Sequence, residues 1–111
     1  MAPIQQTTVG EFEQLVLLAL AHQGRDGYGM SIWQEMVDRT GREISLAAVY
    51  KTLERLEDKG LVASHVGEPT AERGGRRKKH YRLLATGQRA LKASLSTIRR
   101  MAEGLGEEYE V

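Results

Sequence analysis

The sequence predicts one mostly helical α+β domain, in which three helices precede a β-hairpin and a final helix. Apolar residues recur at helical spacing in four segments, and they alternate with polar residues in two short segments before the last of these. The chain has 111 residues, the usual size of one domain. Hydrophobic residues make up 41% and charged residues 28%, so we expect a folded domain with a single core.

The first predicted helix follows Thr8, because Thr8 and Glu11 have the spacing of a capping box. Gly24 is expected to end it with a left-handed cap. Apolar residues surround much of its circumference, which predicts a helix packed on several sides: Phe12, Leu15, Val16, Leu18, Ala19 and Leu20. This apolar run is too short to cross a bilayer, and Met1–Thr8 has no basic signal region, so we expect neither membrane insertion nor secretion.

The second and third predicted helices are separated by a short turn. Helix 2 covers Tyr28–Thr40 and ends at Gly41, with a stripe of Ile32, Trp33, Met36 and Val37. Ser45 is the expected N-cap of helix 3, which Lys59 and Gly60 close. Helix 3 has a predicted inward face of Leu46, Val49, Leu53 and Leu56 and an outward face of Ala47, Ala48, Lys51 and Arg55.

A long-looped hairpin is predicted from Leu61–Val66 and Lys79–Leu84, which flank a connection rich in glycine and charge. Thr86 is the expected cap of the last helix. Apolar residues in that helix follow the four-three spacing of a helix–helix seam: Leu91, Leu95, Ile98, Ala102 and Leu105. We therefore expect residues 86–111 to form a dimerisation helix with an acidic tail, appended to a winged helix-turn-helix domain of residues 1–85.

Two helices joined by a tight turn and followed at once by a hairpin constitute a winged helix-turn-helix, an arrangement that favours DNA binding. A helix fits the major groove, and the small Ala47 and Ala48 would let helix 3 approach the bases. Tyr50, Lys51 and Arg55 are predicted to reach the DNA beside them. The N–H groups that follow Ser45 form a site for a phosphate. Tyr50 could instead seal helix 3 against helix 2.

The hairpin connection is strongly basic, although the formal net charge of the chain is only +1. Five cations in this wing are predicted to contact DNA: Arg73, Arg76, Arg77, Lys78 and Lys79. They would bind phosphates or enter a narrow minor groove, and would therefore add affinity more than sequence information.

Three stretches together resemble the PadR regulators: Gly27–Gly29, residues 48–62, and Arg77–Leu83 with Thr86–Gly87. The similarity covers nearly the whole chain, and the single last helix resembles the small subfamily that dimerises through it. The resemblance implies a cytoplasmic repressor-type regulator that binds a palindromic operator as a homodimer, often with release by a small-molecule effector. Where many members carry a small residue and a proline around the tyrosine of helix 3, this chain has Ala48 and Lys51–Thr52, so base preference does not carry over.

Other classes of function have less support. No nucleophile with a base, carboxylate pair or metal set occurs at a recognisable spacing, and there is no cysteine, so we expect no enzyme activity, cofactor or metal. His22, His65 and His80 are far apart in the sequence. The alternative is a winged helix that binds protein, with its basic loop on an acidic partner. The operator, the effector, the regulated genes and the choice between repression and activation stay open.

Overall fold

The computed structural model describes residues 8–67 and 78–111. It confirms the predicted mostly helical α+β fold and its winged-helix order. The elements are α1 (Glu11–Gln23), β1 (Gly27–Tyr28), α2 (Gly29–Thr40), α3 (Leu46–Asp58), β2 (Val62–Val66), β3 (Lys79–Leu83), α4 (Ala85–Ala102) and a 3-10 turn (Glu107–Tyr109). Within these ranges, no helix combines the length and hydropathy that crossing a membrane requires.

Two of the predicted helix starts are wrong. Helix α1 is capped by Gly10, whose N–H donates to Glu13 Oε1 at 3.0 Å, in place of the predicted pair of Thr8 and Glu11. Helix α4 begins after Leu84, and the Thr86 hydroxyl donates to the Gly60 carbonyl across the fold instead of capping its own helix. At α1 a nearby residue takes the capping role that spacing suggested for Thr8, and at α4 a partner distant in sequence uses the Thr86 hydroxyl.

Most of the other helix signals are confirmed. Ser45 caps α3 by accepting a hydrogen bond from the Ala48 N–H at 3.2 Å. Gly41 ends α2 in the left-handed conformation, and Lys59 with Gly60 follows α3. Gly24 ends α1 as predicted and has a φ of 65°, but its ψ of −120° lies outside the left-handed helical region, so the left-handed cap predicted for it is wrong. These predictions depend only on nearby residues, because the unpaired N–H and C=O groups at each helix end find their hydrogen-bond partners within a few positions.

The sheet is antiparallel, with strand order β1-β3-β2. Strands β2 and β3 form the predicted hairpin, with Val62 opposite Leu83 and Val66 opposite Lys79. Strand β1 was not predicted: its two residues pair with Tyr81 and His80 of β3. Two residues are too few to show a strand alternation, so only the pairing reveals this element.

One core joins α1, α2, α3, the hairpin and the start of α4. Its most deeply buried side chains are Val16, Leu17, Leu20, Ile32, Val49, Leu53, Leu56 and Val62. Leu46, predicted to face inward, is only half-buried. Trp33 packs against the core, and its Nε1 donates to the Ile44 carbonyl at 2.6 Å, which ties α2 to the turn before α3.

Helix α4 joins this core by its first two turns. Gly87, Ala90 and Leu91 are buried, and a Cβ at Gly87 would lie 2.1 Å from the Leu61 carbonyl oxygen. The helix can therefore approach the start of the hairpin only because Gly87 has no side chain.

A partly buried ion pair joins the first turn of α1 to the residue that follows α3. Lys59 Nζ lies 2.8 Å from Glu13 Oε2, and the side chains are 31% and 10% exposed. Burial raises the pKa of Glu13, but the hydrogen bonds from Lys59 and the Gly10 N–H, together with the positive charges of Lys59 and Arg55, outweigh it, and the pKa is lowered overall. Glu13 therefore contributes stability above its ordinary pKa, and that contribution is lost as the pH falls through the folded-state value.

We expect Glu13→Gln to lower the free energy of unfolding by about 1–2 kcal/mol at pH 7, because Lys59 would keep its charge without a partner. The difference from wild type should shrink as the pH falls through the folded-state pKa of Glu13, where the wild-type carboxyl is itself neutral. Urea unfolding of both proteins at pH 7 and at a pH below the folded-state pKa of Glu13 measures this difference. Glu11→Gln is the matched control, because its partner Arg42 is exposed; an equal loss in the two variants would contradict the assigned role of Glu13.

Candidate nucleic-acid interface

The outward face of α3 begins with small and cationic residues. Ala47, Lys51 and Arg55 are exposed and lie at four-residue spacing, while Val49 is fully buried on the opposite side. Ala48 is half-buried, so it borders this face and is not fully part of it. A narrow approach to a groove is thus available at the helix N-terminus, where Ala47 has the smallest side chain that a non-glycine residue can offer.

Exposed acidic residues, which were not among the predicted site residues, border this face toward the C-terminal end of α3. Glu54 and Asp58 are exposed and follow Ala47 and Lys51 along the same side of α3. Carboxylates are repelled by phosphates, so the surface suited to DNA covers the first half of the helix. Arg55 lies beside these acidic residues, whereas Lys51 is the cation of α3 nearest to the N-terminus of the helix.

Tyr50 connects α3 with the start of α2. An ideal Cβ built at Gly29 would lie 2.1 Å from Tyr50 Cε1 and 2.7 Å from its hydroxyl oxygen, so the ring rests directly against Gly29. The side chain is nevertheless 43% exposed. The two predicted roles of Tyr50, packing against helix 2 and reaching a phosphate, are therefore compatible in one conformation.

Two of the five predicted wing cations fall within the described residues, and they face different surroundings. Lys78 Nζ lies 4.2 Å from the centroid of the Tyr28 ring, a cation–π contact, and is exposed. Lys79 Nζ lies 3.7 Å from Glu57 Oε1, which offsets part of its charge. Arg73, Arg76 and Arg77 lie outside the described residues.

A row of rings crosses the outer face of the sheet. His80 stacks on His65 with centroids 5.4 Å apart and meets the edge of Tyr28 at 5.8 Å. Its Nδ1 is 3.1 Å from the Asp26 carbonyl oxygen. No spacing in the sequence relates His65 to His80, because only the strand register brings these two side chains together. In the described part of the chain, no group of three or more metal-ligating side chains occurs.

The predicted dimerisation residues divide between the core and the surface. Leu91 is 6% exposed and packs within its own chain. Leu95, Ile98, Ala102 and Leu105 are exposed, and so is Met101, which the prediction did not include. The last part of α4 therefore leaves a run of apolar side chains in contact with solvent in the single chain. Leu105 lies beyond the end of the helix at Ala102, so its predicted place on the helical seam is wrong.

Comparisons with known proteins agree with this architecture. The model of the transcriptional regulator PadR-like family matches residues 17–93, a range that includes α2, α3 and the hairpin. A search among curated proteins gives no match.

Solved structures extend the similarity. A PadR family transcription regulator from hypervirulent Clostridium difficile R20291 is 26% identical, with 85% of this chain and 93% of that chain covered and a TM-score of 0.71. A PadR family transcriptional regulator from Eggerthella lenta DSM 2243 is 26% identical over 91% of this chain and 88% of that one, with a TM-score of 0.68. BpsR of Bordetella bronchiseptica, whose DNA binding is regulated by 6-hydroxynicotinic acid, shares the fold at 20% identity and a TM-score of 0.65. The match covers 96% of this chain and 74% of that chain.

The family match, the predicted motifs and the observed helix-turn-helix with its wing lead to one conclusion. The chain belongs to the PadR-like family of transcriptional regulators, and its fold is that of a DNA-binding winged helix.

Proposed function

We propose that this protein is a sequence-specific repressor that binds a palindromic operator as a homodimer in the cytoplasm. Helix α3 would enter the major groove by its first half, and the wing would contact the backbone or the minor groove. The observation that carries the proposal is the exposed start of α3, where Ala47 and Lys51 lie just beyond the Ser45 cap.

The charge and shape of this surface support a duplex as the partner. A small residue beside a helix N-terminus permits close approach, and the first-turn N–H groups not used by the cap can bind a phosphate. Lys51 and Lys78 supply exposed positive charge, and Arg73, Arg76 and Arg77 of the sequence would add to it. Phosphate contacts would orient the domain, and contacts from the start of α3 would select the bases.

The exposed apolar run of α4 supports pairing of two copies. A second copy of the same helix would cover Leu95, Ile98 and Ala102 around a two-fold axis, as closed symmetric dimers do. In this proposal residues 1–85 bind DNA and residues 86–111 pair the protomers, while Leu91 stays in the core of its own chain. A palindromic operator follows from the two-fold symmetry.

Release by a small-molecule effector is also proposed. The support is the family membership and the case of BpsR, whose DNA binding responds to 6-hydroxynicotinic acid. Titration of the operator complex with phenolic and other aromatic acids tests this part. A lowered operator affinity in their presence would support it, and an affinity unchanged by all of them would count against effector release of this kind.

Selection of bound sequences from a random duplex pool tests DNA binding and symmetry together. We expect two inverted half-sites whose centres are about 10 base pairs, one helical turn, or a multiple of it, apart. Binding should weaken steeply with salt, with a log–log slope of about −0.9 for each phosphate contacted. Failure to enrich any sequence, combined with binding to an acidic protein, would favour the protein-binding alternative.

A further inference from the structure

Gly29 is the first residue of α2, and its backbone does not require glycine. In the described part of the chain, positive φ is found at Gly24, Gly41, Gly60 and Gly104, and Gly29 is not among them. Alanine is a better helix former than glycine at such a position. The reason for a glycine here must therefore be sought in what surrounds it.

The surroundings consist of the Tyr50 ring. A Cβ at Gly29 would lie 2.1 Å from Cε1, 2.4 Å from Cζ and 2.7 Å from the hydroxyl oxygen, and these are its three nearest atoms. All three belong to the far end of one side chain, which can swing away without displacing the backbone. An alanine at this position would thus move the phenol ring and leave the fold intact.

We propose that Gly29 is a positioning residue for DNA binding, and that its missing side chain forms the seat on which Tyr50 is held toward the duplex. This inference rests on the proposed function. Tyr50 follows Ala47 by three positions, so it lies one turn further along the side of α3 that borders the exposed face. Tyr50 is 43% exposed, so the contact with Gly29 does not enclose the side chain and leaves it within reach of a phosphate.

The seat matters because a half-exposed tyrosine has several staggered side-chain conformations. Contact with Gly29 selects one of them before DNA arrives, and the ordering cost is then not incurred on binding. The motif that begins α2 and the tyrosine of α3 would in this way act as one unit, although 21 positions separate them in the sequence.

A double-mutant cycle on the operator complex tests the proposal. Gly29→Ala and Tyr50→Ala should each weaken operator binding by about three- to tenfold, the range for loss of one hydrogen bond. The variant with both changes should bind no more weakly than Tyr50→Ala alone, because the first change acts only through the ring. Tyr50→Phe should keep the ring on Gly29 and lose only the hydroxyl contact.

Two further measurements separate positioning from a structural defect. In the free protein, Gly29→Ala should shift the NMR signals of the Tyr50 ring, with little change in the thermal midpoint. Gly10→Ala is the matched control: its Cβ would lie 4.0 Å from the nearest atom, and operator affinity should stay at the wild-type value.

The inference is overturned if Gly29→Ala binds as well as wild type, or if the two single losses multiply in the double variant. Loss of folding in Gly29→Ala that Tyr50→Ala does not relieve would also overturn it. A wild-type chain that binds no operator would overturn the proposed function, and this inference with it.

Discussion

Ala47→Glu should abolish operator binding and leave the domain folded. Ala47 is exposed on the first turn of α3, so a longer side chain there has room in the free protein. In the complex the same side chain would meet the groove floor or the phosphates with a negative charge and no partner. We expect a loss of about a hundredfold or more, since an unpaired charge buried in an interface costs several kcal/mol.

Fluorescence anisotropy with the selected duplex measures this loss, and circular dichroism verifies the fold. Ala21→Glu places the same substitution on the exposed side of α1 and should change affinity little. Ala47→Ser adds one small polar group and should keep most of the binding. Ala48 is a less suitable position than the sequence suggested, because it is half-buried and a glutamate there would also affect packing. Wild-type affinity for Ala47→Glu would show that another element enters the groove.

Ile98→Glu should convert the proposed homodimer into a folded monomer. Ile98 is 55% exposed in the single chain, so the charge costs little in a monomer. In a two-fold pair of α4 helices it would place two like charges close together in an apolar contact. Tight binding to the palindromic operator should disappear, and weak binding to a half-site should persist, because the second half-site no longer gains from effective concentration.

Sedimentation at micromolar concentration measures the change in association state. Arg100→Glu is the matched control, because Arg100 points to nearly the opposite side of α4 from Ile98. Leu91→Glu should instead unfold the domain, since Leu91 lies in the core. The proposed α4 pairing is contradicted by a wild-type chain that sediments as a monomer, or by a dimer that persists in Ile98→Glu.

The sequence by itself determined the order of the four helices and the hairpin, the DNA-binding class of fold and the family. Apolar periodicity located the helices, the cap at Ser45 placed the start of α3, and alternation located the hairpin. These signals are local: they depend on backbone groups and faces within a few residues of one another, and no other part of the chain competes for them. Ala47 and Lys51 were placed on the outward face for the same reason.

Only the tertiary structure decided the features that depend on partners distant in sequence. Thr86 has the spacing of a cap, yet it bonds to Gly60, and Leu91 fits the α4 seam yet packs in the core. The short strand β1, the row of rings on the sheet and the seat of Tyr50 on Gly29 likewise arise from register and packing. Spacing along a chain shows which face a side chain takes, but the neighbour it meets there is set by how the elements pack.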